Sequence, residues 1–204
     1  THAHDTESAH GHHHHEHRGL KEIAHMIEHS DMTENAKKTA LRIFGILAAA
    51  EGKAHNVPAD QVHFHEVGAM DAVADIVGVC LAIYKLAPEQ IIASPVHVGY
   101  GQIHCAHGIL PIPAPATAHI LQGIPIYGGR IEGELMYSNW SSTFKTFLPS
   151  PFGQMPMMAV EQTGYGMGMK DFTDANCLRA IIGESVEEQS IQGVMVNHRK
   201  WIPL

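Results

Sequence analysis

Between Gly19 and Lys85 the apolar residues recur every three or four positions; beyond Pro88 they alternate or cluster between glycines and prolines. That change of period constrains the fold more than any other feature, because helix faces repeat every 3.6 residues and strand faces every two. It predicts an α+β protein: an N-terminal helical hairpin and a third helix packed with a mainly β region rich in Gly/Pro turns. A doubly wound sheet would need strands and helices in alternation.

Leu20, Ile23 and Ile27 mark a first helix over 19–29, broken at Ser30-Asp31. Thr33 caps a second, Glu34 to Glu51, with Phe44 and Leu47 on its apolar face and Gly52 as its stop. Val62 to His65 reads as extended, and a third helix runs from Met70 to Tyr84 or Lys85. A strand is expected over Gln90–Val98, a shorter one up to Cys105, and a rigid connector from Gly108 to Pro115. Ala116–Leu121 reads as a short helix with Pro115 near its first position and Gly123 beyond its end. Further strands are expected at Ile124–Tyr127, Arg130–Leu135, Met157–Thr163 and Ala175–Gly183, the last two separated by a glycine turn over Gly164–Gly168. The chain thus divides into a histidine-rich segment (1–18), a helical part (19–88), a mainly β part of the same or an adjoining domain (89–184) and an unassigned tail (185–204).

With 45% hydrophobic residues over 204 positions, the chain can bury a core. Its 13 Lys+Arg against 21 Asp+Glu give a formal charge of -8, which argues against nucleic acid as a partner. Cys80, Cys105 and Cys177 form no CxxC pair, which favours a reducing, cytoplasmic setting. No apolar run of membrane-spanning length is present, so no membrane partner is expected. A start at Thr1, with no apolar segment before the histidine tract, reads as a fragment.

Eight of the 18 histidines fall in the first 18 residues, including the run His12, His13, His14 and His15, interspersed with Asp5, Glu7 and Glu16. Such a segment cannot pack a core; it is expected to be mobile and to capture metal, the alternative of a purification tag being opposed by its run of only four and its Asp/Glu admixture. The sharper constellation is His63-Phe64-His65-Glu66 with Asp71 and Asp75. On an extended backbone His63 and His65 share one face while Phe64 points into the core. Asp71 and Asp75 are one helical turn apart, and Asp75, between Ala74 and Ile76, reads as a buried carboxylate that needs a partner. Two imidazoles and two or three carboxylates suit Ni, Zn, Fe, Mn or Mg. A plainer reading has Asp71 capping the helix, Asp75 paired with a basic residue and the histidines satisfying backbone groups.

Three weaker signals remain. His104, Cys105 and His107 could bind a borderline ion or activate a thiol, whereas Cys177 reads as a core residue. Gly99-Tyr100-Gly101, Gly128-Gly129 and Gly164-Tyr165-Gly166-Met167-Gly168 could present backbone N–H groups to phosphate or serve simply as tight turns. Met155, Met157, Met158, Met167 and Met169 read as core filling in preference to a soft-metal site.

The run from His63 through Phe64, His65, Glu66, Val67 and Gly68 to Asp71 and Asp75-Ile76-Val77-Gly78 resembles the signature of the LarC family of nickel-insertion proteins. The similarity continues through Ser94-Pro95, Gly99-Tyr100-Gly101 and the stretch from His107-Gly108 to Ala116-Thr117. It resumes at Gly133-Glu134-Leu135, Gly164–Gly168 and Asn176 to Arg179. The resemblance implies a CTP-dependent nickel insertase (a lyase-class cyclometallase) acting on pyridinium-3,5-bisthiocarboxylic acid mononucleotide in nickel-pincer cofactor biosynthesis. Ni2+ is its cargo, with Mg2+ or Mn2+ as a further ion, and a C-terminal half of the family protein and a homo-oligomer as partners. The resemblance marks these positions, and their chemistry suggests the roles: His63, His65 or Glu66 is expected to serve as the base for the ring proton. Asp71 and Asp75 are expected to join the histidines as metal ligands or to orient one of them. Gly99, Gly101, His107, Gly164, Gly166, Gly168 and Arg179 meet the nucleotide.

The family's opening segment and C-terminal domain are absent, so the resemblance implies an N-terminal-half fragment. Two further roles stay open: nickel storage or delivery without turnover, and a scaffold half that needs its partner. The pattern also fails at Met136–Ser142, where the family has Thr-Pro-Thr-Gly-Ala-Ala. Synonymous codons read one nucleotide later restore that peptide, which points to a local frameshift and predicts poor order from Met136 to Pro151.

Overall fold

The computed structural model describes residues 18–64, 70–105, 108–147, 152–172, 174–186 and 200–203. Its centre is a helix, flanked by four others. Strand β1 (Arg18–Gly19) leads into α1 (Leu20–Glu28), where the Glu22 carboxylate accepts from the Gly19 N–H at 3.0 Å and ties down the first turn. Helix α2 (Glu34–His55) starts at Thr33, whose hydroxyl accepts from the Ala36 N–H. It runs past the expected stop at Gly52, because Asn56 takes the left-handed conformation (φ 55°) and the Asn56 and Val57 N–H groups close on the Gly52 carbonyl. Strand β2 (His63–Phe64) pairs antiparallel with β1, and α3 (Met70–Leu86) ends where Ala87 turns to φ 45° before Pro88.

The chain then builds short strands: β3 (Gln90–Ile92), β4 (Val96–His97), β5 (Gln102–Cys105) and β6 (Gly108–Pro111). The strand expected over Gln90–Val98 is thus split. Proline lacks the N–H a ladder needs, and Pro95 falls where β3 and β4 part into different sheets. The connector expected over Gly108–Pro115 is in part the second arm of the β5–β6 hairpin. Helix α4 (Pro115–Ile120) follows with proline at its start, then β7 (Ile126–Tyr127), parallel to β4. Arg130–Leu135 forms no strand; its backbone instead laces to the 98–100 turn, through Tyr100 N–H to Ile131 O, Gly133 N–H to Tyr100 O and Leu135 N–H to Val98 O.

Helix α5 (Ser138–Phe147) occupies most of the stretch expected to be poorly ordered, the last part of which, 148–151, lies outside the described residues. Ser141, Ser142 and Thr143 are buried, yet each hydroxyl donates to a carbonyl three or four residues back: Tyr137 O, Asn139 O and Asn139 O. Small side chains on that face let α5 pack on α2, and Trp140 turns outward. Lys145 reaches across to the Ile120 and Gln122 carbonyls at 2.6 and 3.3 Å, closing the end of α4.

Strands β8 (Met158–Met167), β9 (Cys177–Ser185) and β10 (Lys200–Pro203) join β3 in a four-stranded sheet of order β3-β10-β9-β8. The turn expected at Gly164–Gly168 lies further on: β8 continues through Met167, opposite Cys177, and the reversal spans 168–176. Asn176 fixes it, its side-chain amide donating to Lys170 O and its carbonyl accepting from the Gly168 N–H. Two other expectations fail on this hairpin. Met155, Met157, Met167 and Met169 are exposed and do not fill a core, and Cys177 is exposed as well, because among the described residues no layer covers the outer half of the hairpin.

The main core gathers Ile23, Ile27, Ile43, Phe44, Leu47, Phe64, Ile76, Cys80 and Ile120, all at most 2% exposed. Burial of each large side chain contributes about 1.5–3 kcal/mol before the entropy of ordering is subtracted. A smaller cluster, Val96, Val98 and Leu121 with Phe144, joins the β4–β7 pair to α4 and α5. The fold is therefore α+β, with a helical body and peripheral small sheets. Among the described residues no helix is long and apolar enough to cross a membrane.

Candidate functional site

The region around His63 is built on Phe64. That ring is 2% exposed and packs on Phe44 at 6.3 Å between centroids, so the two-residue strand is pinned to α2 while His63 stays at the surface. Opposite His63 in the β1–β2 pair lies Gly19, and opposite Phe64 lies Arg18. The chain leaving the histidine tract is thereby held by backbone bonds beside His63. Asp71 and Asp75 follow on the first two turns of α3, and both are exposed.

The exposure of Asp75 corrects the expectation of a buried, partner-seeking carboxylate. Helix α3 buries Ala72, Val73, Ile76 and Cys80, and position 75 falls on the opposite side. Among the described residues, no hydrogen bond or ion pair restrains the side chains of His63, Asp71 or Asp75. Among the described residues no group of three or more His, Cys, Asp or Glu is gathered to hold a metal. His65, Glu66, His107 and the run His12, His13, His14 and His15 lie outside the described residues.

The glycine segments divide. At Gly99 (φ 83°) a Cβ would overlap the Gly133 carbonyl, so this position serves the close lacing of two backbone segments. Gly101 (φ 98°) accepts a bond from the Ile112 N–H on its carbonyl. Gly164 and Gly166 are strand residues of β8, and the Gly168 N–H is engaged by Asn176, so this trio forms no phosphate-cradling turn. Arg179 is exposed on β9, opposite Tyr165.

A second surface was not legible in the motifs. The His97 ring stacks on Tyr127 (4.6 Å, 8°), and its Nε2 donates to Gly128 O at 3.0 Å. A Cβ at Gly129 (φ 64°) would overlap that imidazole, so the Gly128-Gly129 pair is the seat of the ring. Beside it Arg130 donates twice to Asp174, at 2.8 and 2.6 Å. The guanidinium holds the Asp174 carboxyl below the usual carboxylate range, chiefly by these hydrogen bonds. Exposed Tyr100 and Tyr127 give the surface aromatic character. Sequence reasoning lacked the pairing of Arg130 with a residue 44 positions away. His25 and His29, one turn apart on α1, carry a spacing legible in the sequence, and their rings stack at 4.0 Å.

All three cysteines are free: Cys80 buried, Cys105 half-buried with its thiol donating to Gly108 O at 3.5 Å, and Cys177 exposed. Burial pushes the Cys80 thiol up to about 11, so it stays protonated near neutral pH.

The sequence profile described as "Nickel insertion protein" matches residues 2–198. A protein of Desulfitobacterium hafniense, named pyridinium-3,5-bisthiocarboxylic acid mononucleotide nickel insertion protein, is 43% identical over 176 residues, 86% of this chain and 44% of its own length. Proteins of the same name from Geobacillus kaustophilus and Staphylococcus epidermidis are 41% and 44% identical, covering 90% and 85% of this chain and 44% of each relative. The chain thus spans less than half the length of the curated relatives it matches. No solved structure matches it.

Proposed function

The chain belongs to the nickel insertion protein family, and from that premise we propose that it takes part in placing Ni2+ into pyridinium-3,5-bisthiocarboxylic acid mononucleotide, the molecule its relatives are named for, during nickel-pincer cofactor biosynthesis. The observation that carries this reading is the antiparallel pairing of Gly19 with His63. It couples the chain that leaves a tract of eight histidines to the strand bearing the candidate base, so that metal capture and chemistry are neighbours along one backbone ladder.

In this reading the tract, with His12, His13, His14 and His15, gathers nickel. His63, with His65 and Glu66 next in sequence, supplies the group that takes the ring proton as nickel bonds to carbon. Asp71 and Asp75, exposed oxygen donors one turn apart, have the chemistry to hold Mg2+ or Mn2+ with several waters retained. Gly99, Gly101, His107 and Arg179 remain the nucleotide-facing candidates, for the mononucleotide and for CTP as co-substrate. Gly164 and Gly166 on the edge strand β8, with Gly168 just beyond it, stay on that list as strand-edge positions and not as a turn. The part of the family protein beyond this chain is the expected partner, a homo-oligomer the expected assembly and the cytoplasm the expected setting.

The test is a nickel-insertion assay with the mononucleotide, Ni2+ and CTP, run on this chain alone and with the C-terminal part of a relative added. His63→Ala is expected to abolish insertion without unfolding the chain, and deletion of residues 1–17 to lower nickel stoichiometry while sparing insertion at saturating nickel. Insertion by His63→Ala at the parent rate would overturn the assignment of the base. A chain that binds several ions but inserts none with either partner state would favour storage or delivery.

A further inference from the structure

We infer that His25 and His29 form a two-imidazole site for a borderline divalent ion of the Ni2+ class on the exposed face of α1. They stand four residues apart on one helix, so their side chains project from the same face one turn from each other. Both are exposed, and their rings lie parallel to within 22° with centroids 4.0 Å apart. Two imidazole nitrogens each about 2.1 Å from one ion can be no more than about 4.2 Å apart; exposed rings one helical turn apart are within that reach once they turn out of the stack, so that their in-plane lone pairs converge.

The tautomer is already set for one ligand. His29 Nδ1 lies 2.8 Å from the His25 carbonyl oxygen, which can only accept; Nδ1 therefore carries the hydrogen and leaves the Nε2 lone pair outward. A ring N–H held by a backbone carbonyl while the other nitrogen binds metal is the usual arrangement of ligating histidines. The helix contributes as well. His25 is in its last turn and His29 caps its C-terminus, the end where the aligned peptide dipoles favour a cation. Lys21, a turn before His25 on the same side, opposes the ion.

Two protein ligands leave at least two coordination positions of a four-coordinate ion to water or an incoming group, which suits brief residence more than storage. His17, the last histidine of the tract, precedes His25 by only eight residues, and α1 is the first helix after the tract. A handover role for the pair rests on the nickel-insertion reading above; binding itself does not.

The test uses the full chain with the eight tract histidines changed to serine, titrated with Ni2+ by calorimetry and by paramagnetic broadening of amide resonances. Broadening is expected at His25 and His29 and along α1. His25→Gln or His29→Gln should each weaken that event by about 10-fold or more with unchanged circular dichroism in the absence of metal. Lys21→Glu should tighten it several-fold. Unaltered affinity in both glutamine variants, or broadening that spares α1, overturns the site. If the variants lose binding yet leave insertion unchanged at limiting nickel, the site stands and the handover role falls. If the parent chain inserts no nickel under any condition while binding is lost in the variants, the functional reading fails and the site stands.

Discussion

Gly19 lies opposite His63 across an antiparallel backbone pair, so a residue next to the histidine tract and the candidate base share one two-stranded ladder. The ladder is two residues long on each side and survives because Phe64 is buried against Phe44. A pair so short has little stability of its own.

Truncating that anchor should therefore be costly. Phe64→Ala is expected to lower stability by about 3–5 kcal/mol, whereas His63→Ala, at the exposed position beside it, should stay within about 0.5 kcal/mol. Urea denaturation of both variants checks the contrast. Equal losses would mean that Phe64 is not the anchor that holds the strand.

Helix α5 should tolerate small residues and reject large ones on its inner face. Ser142 is fully buried, with its hydroxyl returned to Asn139 O, so Ser142→Ala is expected to change stability by less than about 1 kcal/mol. Ser142→Leu should cost about 1–3 kcal/mol by overpacking against the helical body. Thermal unfolding midpoints of the two variants measure the difference.

Lys145 closes α4 through two carbonyls. Lys145→Met keeps most of the stem and removes the ammonium, and is expected to cost about 1–3 kcal/mol. The loss should show as faster hydrogen exchange in α4; exchange that rises only in α5 would contradict the proposed clasp.

Cys80 gives the pH prediction. Its thiol is raised by burial from the usual 9.0 to about 11. Below pH 9 both folded and unfolded chains keep the proton, and stability is unaffected. As the pH rises from 9 toward 11 the unfolded chain releases it while the folded chain does not, so stability falls across that window. Cys80→Ala should be less stable at neutral pH but should flatten this slope, as read from denaturation midpoints between pH 8 and 11.

Helices were legible because their apolar stripes and caps are local. Leu20, Ile23 and Ile27 sit on one face, and Thr33 both looks like a cap and bonds the Ala36 N–H. Strand ends were less so, since they depend on partners far along the chain. Nothing near Gly164 reveals that Tyr165 faces Arg179 or that the reversal is fixed by Asn176. Helix α5 was missed for a different reason: serine and threonine are weak helix formers in isolation, and only packing on α2 with hydroxyls folded back onto carbonyls makes Ser141–Thr143 helical. In the site, the outward His63 and inward Phe64 followed from strand parity. Asp75 did not follow, because a mostly apolar helix gives no warning of which side faces water. The Arg130–Asp174 pair joins residues whose local sequences carry no hint of each other.

That pair also belongs to a row of three contacts made by the reversal between β8 and β9. The Lys170 ammonium lies 5.2 Å from the centre of the Tyr137 ring, the Phe172 ring lies beside Gly133, and Asp174 grips Arg130. At its other end the hairpin is paired into the sheet through β10. It behaves as a beam supported at both ends rather than as a cantilever. Its exposed middle, with Val160, Tyr165 and Leu178, can bow but cannot swing away. High salt or acid, by loosening the outermost support at Arg130 and Asp174, would free the tip first and leave the end held by β10 in place.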